Sequence, residues 1–176
     1  MSAPGHKQKA KVGSRSDWET PRELFDLLDK RFHFTLDGAA NWYNTKCPIF
    51  YSEEMDAFKQ EPRGETIFVN PPYGNNWKAW ISLFEKWAEH NTVVALVPSA
   101  TDTVWWAMAA RLANDVILLS ANIEHNSSGR VKFIDPETGS TDGSNTTGST
   151  VFVWSPFLSY FGRIELWDWK AELAEG

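Results

Sequence analysis

Asn70-Pro71-Pro72-Tyr73 puts a neutral amide, two rigid residues and an aromatic ring within four positions. The Asn70 side-chain oxygen and a prolyl carbonyl can accept hydrogen bonds from an exocyclic amino group, and the Tyr73 ring can stack on a flat heterocycle. The chemistry suggested is capture of a planar ring that carries an NH2. The preceding run, Thr66-Ile67-Phe68-Val69, is β-branched and aromatic and reads as a short buried strand. Two prolines then forbid both a continued ladder and an immediate helix. Amide and ring therefore stand on a stiff turn at the end of a strand, where open α/β sheets bind ligands. A Pro-Pro turn is also ordinary loop chemistry, so the tetrapeptide by itself is only moderately specific.

Three further groups of residues suit a second ligand. Thr20-Pro21-Arg22-Glu23 carries two helix-start signals: Thr20 fits an N-cap with Glu23 three residues on, and Pro21 fits the first helical position. Leu24, Phe25, Leu28 and Phe32 continue at helical spacing. The hydroxyl reads as a cap, and the free N–H groups of that helix start also suit a carboxylate. Phe34-Thr35-Leu36 reads as a strand ending at Asp37-Gly38-Ala39-Ala40, where an acid is followed by small residues that let a ligand approach the backbone. Asp37 would accept from an ammonium there, and it would serve equally in a plain turn. Pro48-Ile49-Phe50-Tyr51 reads as a second strand, followed by Glu53, Glu54 and Asp56, and an acid in that position can hydrogen-bond a ribose.

Taken in order, Trp18-Glu19-Thr20-Pro21, Leu36-Asp37-Gly38-Ala39-Ala40, Asn70-Pro71-Pro72-Tyr73-Gly74, Leu96-Val97-Pro98 and Gly129-Arg130-Val131-Lys132-Phe133 resemble the phage-type DNA N-6-adenine methyltransferases. The resemblance covers roughly residues 16–155. Those enzymes belong to the amino-methyltransferases of DNA bases, which share an Asn/Asp/Ser-Pro-Pro-Tyr/Phe motif. The resemblance implies a Rossmann-like, S-adenosyl-L-methionine-dependent methyltransferase fold acting on the N-6 amine of adenine in double-stranded DNA. The base would be flipped out of the duplex. It further implies that Asn70, Pro71, Pro72 and Tyr73 are catalytic. Trp18, Thr20 and Pro21 would line the methionine end of the cofactor pocket, beside Asp37, Gly38, Ala39 and Ala40. One of Glu53, Glu54 and Asp56 would hold the cofactor's ribose, and Asp56, in Met55-Asp56-Ala57-Phe58, matches the family's acid-plus-apolar pattern best. Two other functions remain open on these residues. One is methylation of a different amine or amide, as in the protein-glutamine and RNA-guanine methyltransferases that share Asn-Pro-Pro-Tyr. The other is non-catalytic nucleic-acid binding on the same fold.

The chain has 176 residues, ordinary for one domain, and 42% hydrophobic content. Its ten tryptophans are mostly expected in the core. The formal net charge of −6 argues against a broad basic DNA-binding face. The exception is residues 1–15, with Lys7, Lys9, Lys11 and Arg15 and no acid, which read as a disordered basic tail ahead of a single domain at 16–176. Cys47 is the only cysteine, and the histidines share no ligand spacing, so neither an intrachain disulfide nor a metal site is expected. No signal-peptide core and no membrane-length apolar run is visible, which points to the cytoplasm of a bacterial host. Oligomeric state and recognition sequence are not legible.

Trp77, Trp80, Ile81, Phe84 and Ala88 predict a helix packed on the sheet, with Trp87 and Lys78 off or at the edge of its apolar stripe. Strands are expected at 93–97 and 116–119, with a helix at 100–113 capped by Thr101 or Asp102. This alternation predicts an α/β architecture with a mainly parallel sheet. The last third predicts a C-terminal antiparallel hairpin, pairing 131–134 with 151–154 across a Gly/Ser/Thr-rich loop at 136–149, and then a helix at 163–174. That loop is either functionless or ordered on DNA.

Overall fold

The computed structural model describes residues 18–74, 76–136, 138–141 and 147–174. The expected basic tail lies outside the described residues, and the 136–149 loop lies only partly within them.

Seven strands form one sheet: β1 (Leu36–Asp37), β2 (Ile49–Phe50), β3 (Thr66–Val69), β4 (Thr92–Pro98), β5 (Asp115–Leu119), β6 (Ser149–Trp154) and β7 (Arg163–Trp167). Their order is β2-β1-β3-β4-β6-β5-β7. Every neighbouring pair is parallel except those made by β6, which runs antiparallel to both β4 and β5. The near-continuous apolar run of β4, Val93–Val97, is buried on both faces, as a central strand requires. Val93, Ala95 and Val97 pack beneath α2 (Trp77–Ala88) and α3 (Val104–Leu112). Val94 and Leu96 pack on the other face with Leu24, Phe25 and Leu28 of α1 (Arg22–Phe32) and with Trp169 of α4 (Trp169–Ala174). The result is a three-layer α/β/α arrangement. The mixed α/β class and mainly parallel sheet are as the sequence implies.

Several expectations are corrected. No hairpin joins 131–134 to 151–154. The apolar Val151–Trp154 run is buried throughout and takes the slot between β4 and β5, where both its faces are covered. Segment 131–133 alternates charge with apolar residues, so only Val131 and Phe133 face inward, and it crosses the sheet without joining the ladder. Residues 163–167 form an edge strand and not a helix. Arg163-Ile164-Glu165-Leu166 alternates at period two, and the helix starts only after Asp168, whose carboxylate accepts from the Ala171 N–H at 3.2 Å. Trp87, expected at the stripe's edge, is core, with its indole N–H donating to the Gln60 carbonyl at 3.1 Å. The cap of α3 is Thr103, whose hydroxyl accepts from the Trp106 N–H.

Candidate active site

The parallel strands all point their C-terminal ends to one edge, and the candidate residues collect there. Asp37 ends β1, Asn70 follows β3, and Asp56 lies on the loop after β2. The chain leaves β1 for β2 on one side and then crosses to β3 on the other, so the β1–β3 gap is the point where strand order reverses. Such gaps hold ligands in open α/β sheets. A cavity of about 320 Å3 opens at this point, within the size range of small-molecule sites. Trp18, Thr20, Asp37, Gly38, Ala39, Ala40, Asp56, Asn70 and Pro72 line it. Pro21, Pro71 and Tyr73 do not.

The Asn70 amide is oriented by acceptors on one side only. Its Nδ2 donates to Thr20 Oγ1 at 3.2 Å and to the Trp18 carbonyl at 3.4 Å. A carbonyl can only accept, so the NH2 end of the amide must face Trp18. The other end, Oδ1, is then left buried with no partner among the described residues. An unsatisfied buried acceptor costs about 1–3 kcal/mol. Asn70 itself lines the cavity, so this acceptor belongs to its wall.

Thr20 is thus not a helix cap. The helix begins one residue later than expected, at Arg22, with Pro21 in the cap position and no side-chain cap bond. Freed from capping, the buried Thr20 hydroxyl serves Asn70. The segment is held by its neighbour, since Glu19 and Ile134 exchange backbone hydrogen bonds of 2.8 and 2.9 Å.

Asp37 is 3% exposed. Its oxygens accept from the Lys46 backbone N–H at 3.1 Å and from the Ala39 N–H at 3.4 Å. Burial pushes its carboxyl up to about 6, against the pull of those two N–H groups and of the Lys46 charge. No cation forms a direct ion pair with it among the described residues; the nearby Lys46 ammonium pairs with Glu19 instead. Gly38 has a structural reason beside the expected one. A Cβ there would come within 3.0 Å of Trp87 and of Val69, so glycine lets the core close beneath the strand while its backbone faces the cavity. Asp56 sits at a positive φ of 55°, caps a short 3-10 helix by accepting from Phe58 N–H, and pairs with Lys59 at 3.0 Å. Glu53 also lines the cavity; Glu54 does not.

Tyr73 departs from a free stacking platform. Its half-buried ring packs against Trp77 and, edge-on, against Phe133, with centroids 5.8 and 6.1 Å away. Its hydroxyl is buried without a partner among the described residues, and burial raises its pKa.

The sequence reading missed an ion pair in the cavity wall, Lys46 with Glu19, in which the lysine is almost wholly buried. It also missed Asn41 and Asn44, whose side chains bond each other's loop backbone at the cavity rim. Neither has a local sequence signal, because the partners are set by how β1 and β2 are joined. No cluster of possible metal ligands occurs among the described residues, and no helix there is long and apolar enough to cross a membrane.

A mostly parallel sheet with a ligand-sized cavity at its reversal point, walled by one carboxylate and one oriented amide, fits a methyltransferase-like fold. A family model described as DNA N-6-adenine-methyltransferase (Dam) matches residues 7–175, and the chain belongs to that family. It is 31% identical over 148 residues to the DNA N-6-adenine-methyltransferase of Escherichia phage T1, covering 79% of this chain and 62% of the relative. It is 27% identical over 157 residues to the DNA N-6-adenine-methyltransferase of Haemophilus phage HP1 (strain HP1c1), covering 88% and 87%. The chain therefore spans less than two thirds of the T1 relative and most of the HP1 one.

Proposed function

We propose that this chain is a single-domain enzyme that transfers a methyl group from S-adenosyl-L-methionine to the N-6 amine of adenine in duplex DNA. The observation that carries the reading is the buried, unpartnered Oδ1 of Asn70, oriented by Thr20 and Trp18 beside a cavity that also holds a buried carboxylate with no direct ion-pair partner among the described residues. The residues suit the cofactor. Asp37 offers a buried acceptor for its ammonium, the Gly38–Ala40 backbone leaves room along the cavity floor, and Asp56 or Glu53 offers an acceptor for ribose hydroxyls. When bound, S-adenosyl-L-methionine supplies an electrophilic methyl group on a sulfonium.

The adenine amine is a weak nucleophile because its lone pair is delocalised into the ring. Accepting its N–H groups on Asn70 Oδ1 and a prolyl carbonyl favours a tetrahedral nitrogen with a localised lone pair. Asn70 is neutral, so it orients the amine without taking its proton, and the proton displaced by methylation passes to water. The chain contributes positioning and preorganised electrostatics. In a duplex the base must leave the stack, at a cost of a few kcal/mol. Stacking on the accessible part of Tyr73 would offset roughly 1–3 kcal/mol of that. The packing of Tyr73 on Phe133 and Trp77 holds the ring ready.

Tritiated methyl transfer to unmethylated duplex DNA, followed by nucleoside analysis, tests the reading. Label in N-6-methyladenosine supports it. Label in another base, or transfer only to protein or RNA, refutes it.

A further inference from the structure

The −6 charge leaves a DNA enzyme with the question of where the phosphates are held. Six described cations are already neutralised in ion pairs, Arg31 and Arg163 among them. Arg130 and Lys132 are not: both side chains are exposed, and neither pairs with an acid among the described residues. They occupy alternate positions of an extended segment whose other residues are buried. Val131 and Phe133 enter the core beneath them.

The segment is pinned at both ends. Gly129 passes so close to the end of β5 that a Cβ would meet the Ser120 carbonyl at 1.8 Å, and its own carbonyl accepts from the Trp169 indole at 2.8 Å. At the far end Phe133 packs on Tyr73, and Ile134 pairs with Glu19 beside Thr20. The backbone thus runs along the C-terminal edge of the sheet, from β5 to the Asn-Pro-Pro-Tyr turn, with its cations outward. Their Cα atoms stand about 6.6 Å apart at extended spacing, a separation suited to neighbouring phosphates of one strand. The acids nearest in sequence, Glu124 and Asp135, lie beyond the segment's ends.

We propose that Arg130 and Lys132 are the phosphate clamp for the DNA strand that carries the target base. The inference rests on the methyltransferase reading above. A nucleotide leaves the stack by rotation about its own backbone. Cations on a rigid segment fastened to the turn that receives the base would hold the flanking phosphates at a fixed distance from Asn70. Arginine suits this contact because its guanidinium binds phosphate oxygens in pairs.

The test is binding of a fluorescent duplex oligonucleotide over a salt series, with parent, an Arg130→Ala/Lys132→Ala variant and an Arg63→Ala control at the opposite sheet edge. Each lost phosphate contact removes about 0.9 from the log–log salt slope, so the double variant should lose about 1.8. The control should lose nothing, and S-adenosyl-L-methionine affinity and melting temperature should not move in either. An Arg130→Lys/Lys132→Arg variant should restore the parental slope. A double variant with the parental slope, from a parent that methylates DNA, overturns the clamp. So does an equal loss in the Arg63 control. A parent that neither binds nor methylates DNA overturns the methyltransferase reading, and this one with it.

Discussion

Thr20→Val keeps the volume of the side chain and removes the acceptor that orients Asn70. The amide would retain only the 3.4 Å bond to the Trp18 carbonyl, having lost the 3.2 Å bond to the hydroxyl. A neutral hydrogen bond contributes about 1 kcal/mol, and a buried donor left half-satisfied costs about 1–3 kcal/mol. The transition state should therefore lose about 1–2 kcal/mol, a fall of about 5–30-fold in single-turnover methyl transfer at saturating cofactor and DNA. Thr20→Ser should transfer at close to the parental rate, because it keeps the oxygen. The decisive comparison is a double-mutant cycle with Asn70→Asp, a residue type that the wider motif accommodates. In that background the Nδ2 donor is gone and the Thr20 hydroxyl can only donate to the carboxylate, so the cost of Thr20→Val should differ from its cost beside Asn70, with a coupling of about 1 kcal/mol or more. Equal costs in the two backgrounds would show that Thr20 acts on the cofactor and not through Asn70.

Other outcomes follow from the same geometry. Asn70→Ala should abolish transfer while calorimetry still finds cofactor binding, since Asp37 remains; transfer at the parental rate would remove Asn70 from the site. Asp37 must be ionised to hold an ammonium, and its carboxyl is raised to about 6, so cofactor affinity should fall as pH drops below that value. Affinity that stays flat from pH 7.5 to 5 would refute the contact. For folding the sign reverses. The folded state holds this proton more tightly than the unfolded chain, so Asp37's contribution is full below about pH 4 and lost as pH rises towards the folded value. Asp37→Ala should remove that part of the pH dependence of cofactor-free unfolding. Tyr73→Phe should keep transfer and match or exceed parental stability, because it removes a buried hydroxyl that has no partner; a large loss of transfer would give that hydroxyl a role.

The layers and the sheet edge that carries the cavity were legible because their signals are local. Thr66–Val69 followed by two prolines can only be a strand that stops, and the Leu24/Phe25/Leu28 spacing can only be one face of a helix. The last third was misread because its signals are not local. Val131–Ile134 and Val151–Trp154 both look like strands. Which one enters the sheet depends on competition for a slot covered on both faces, and the fully apolar segment wins it. Trp167 and Trp169 suggested one helix, although the first is the end of β7 and only the second is helical.

The site divides in the same way. Residue types named its candidate parts, so Asp37 and Asn70, which the fold brings to one cavity, stand out from the sequence alone. How those parts act on one another was hidden, because it depends on which backbone atoms the fold leaves unpaired. Thr20 carries every local mark of a cap, and the one-residue shift of the helix start turns it into the partner of an amide fifty positions away. Val131-Lys132-Phe133-Ile134 reads locally as a strand; its fastening to Tyr73 and Glu19 makes it a brace across the cavity's edge. Motif order can therefore name this family, while the contacts that tie Thr20 to Asn70 and the 129–134 segment to Glu19 and Tyr73 join residues that no spacing rule connects.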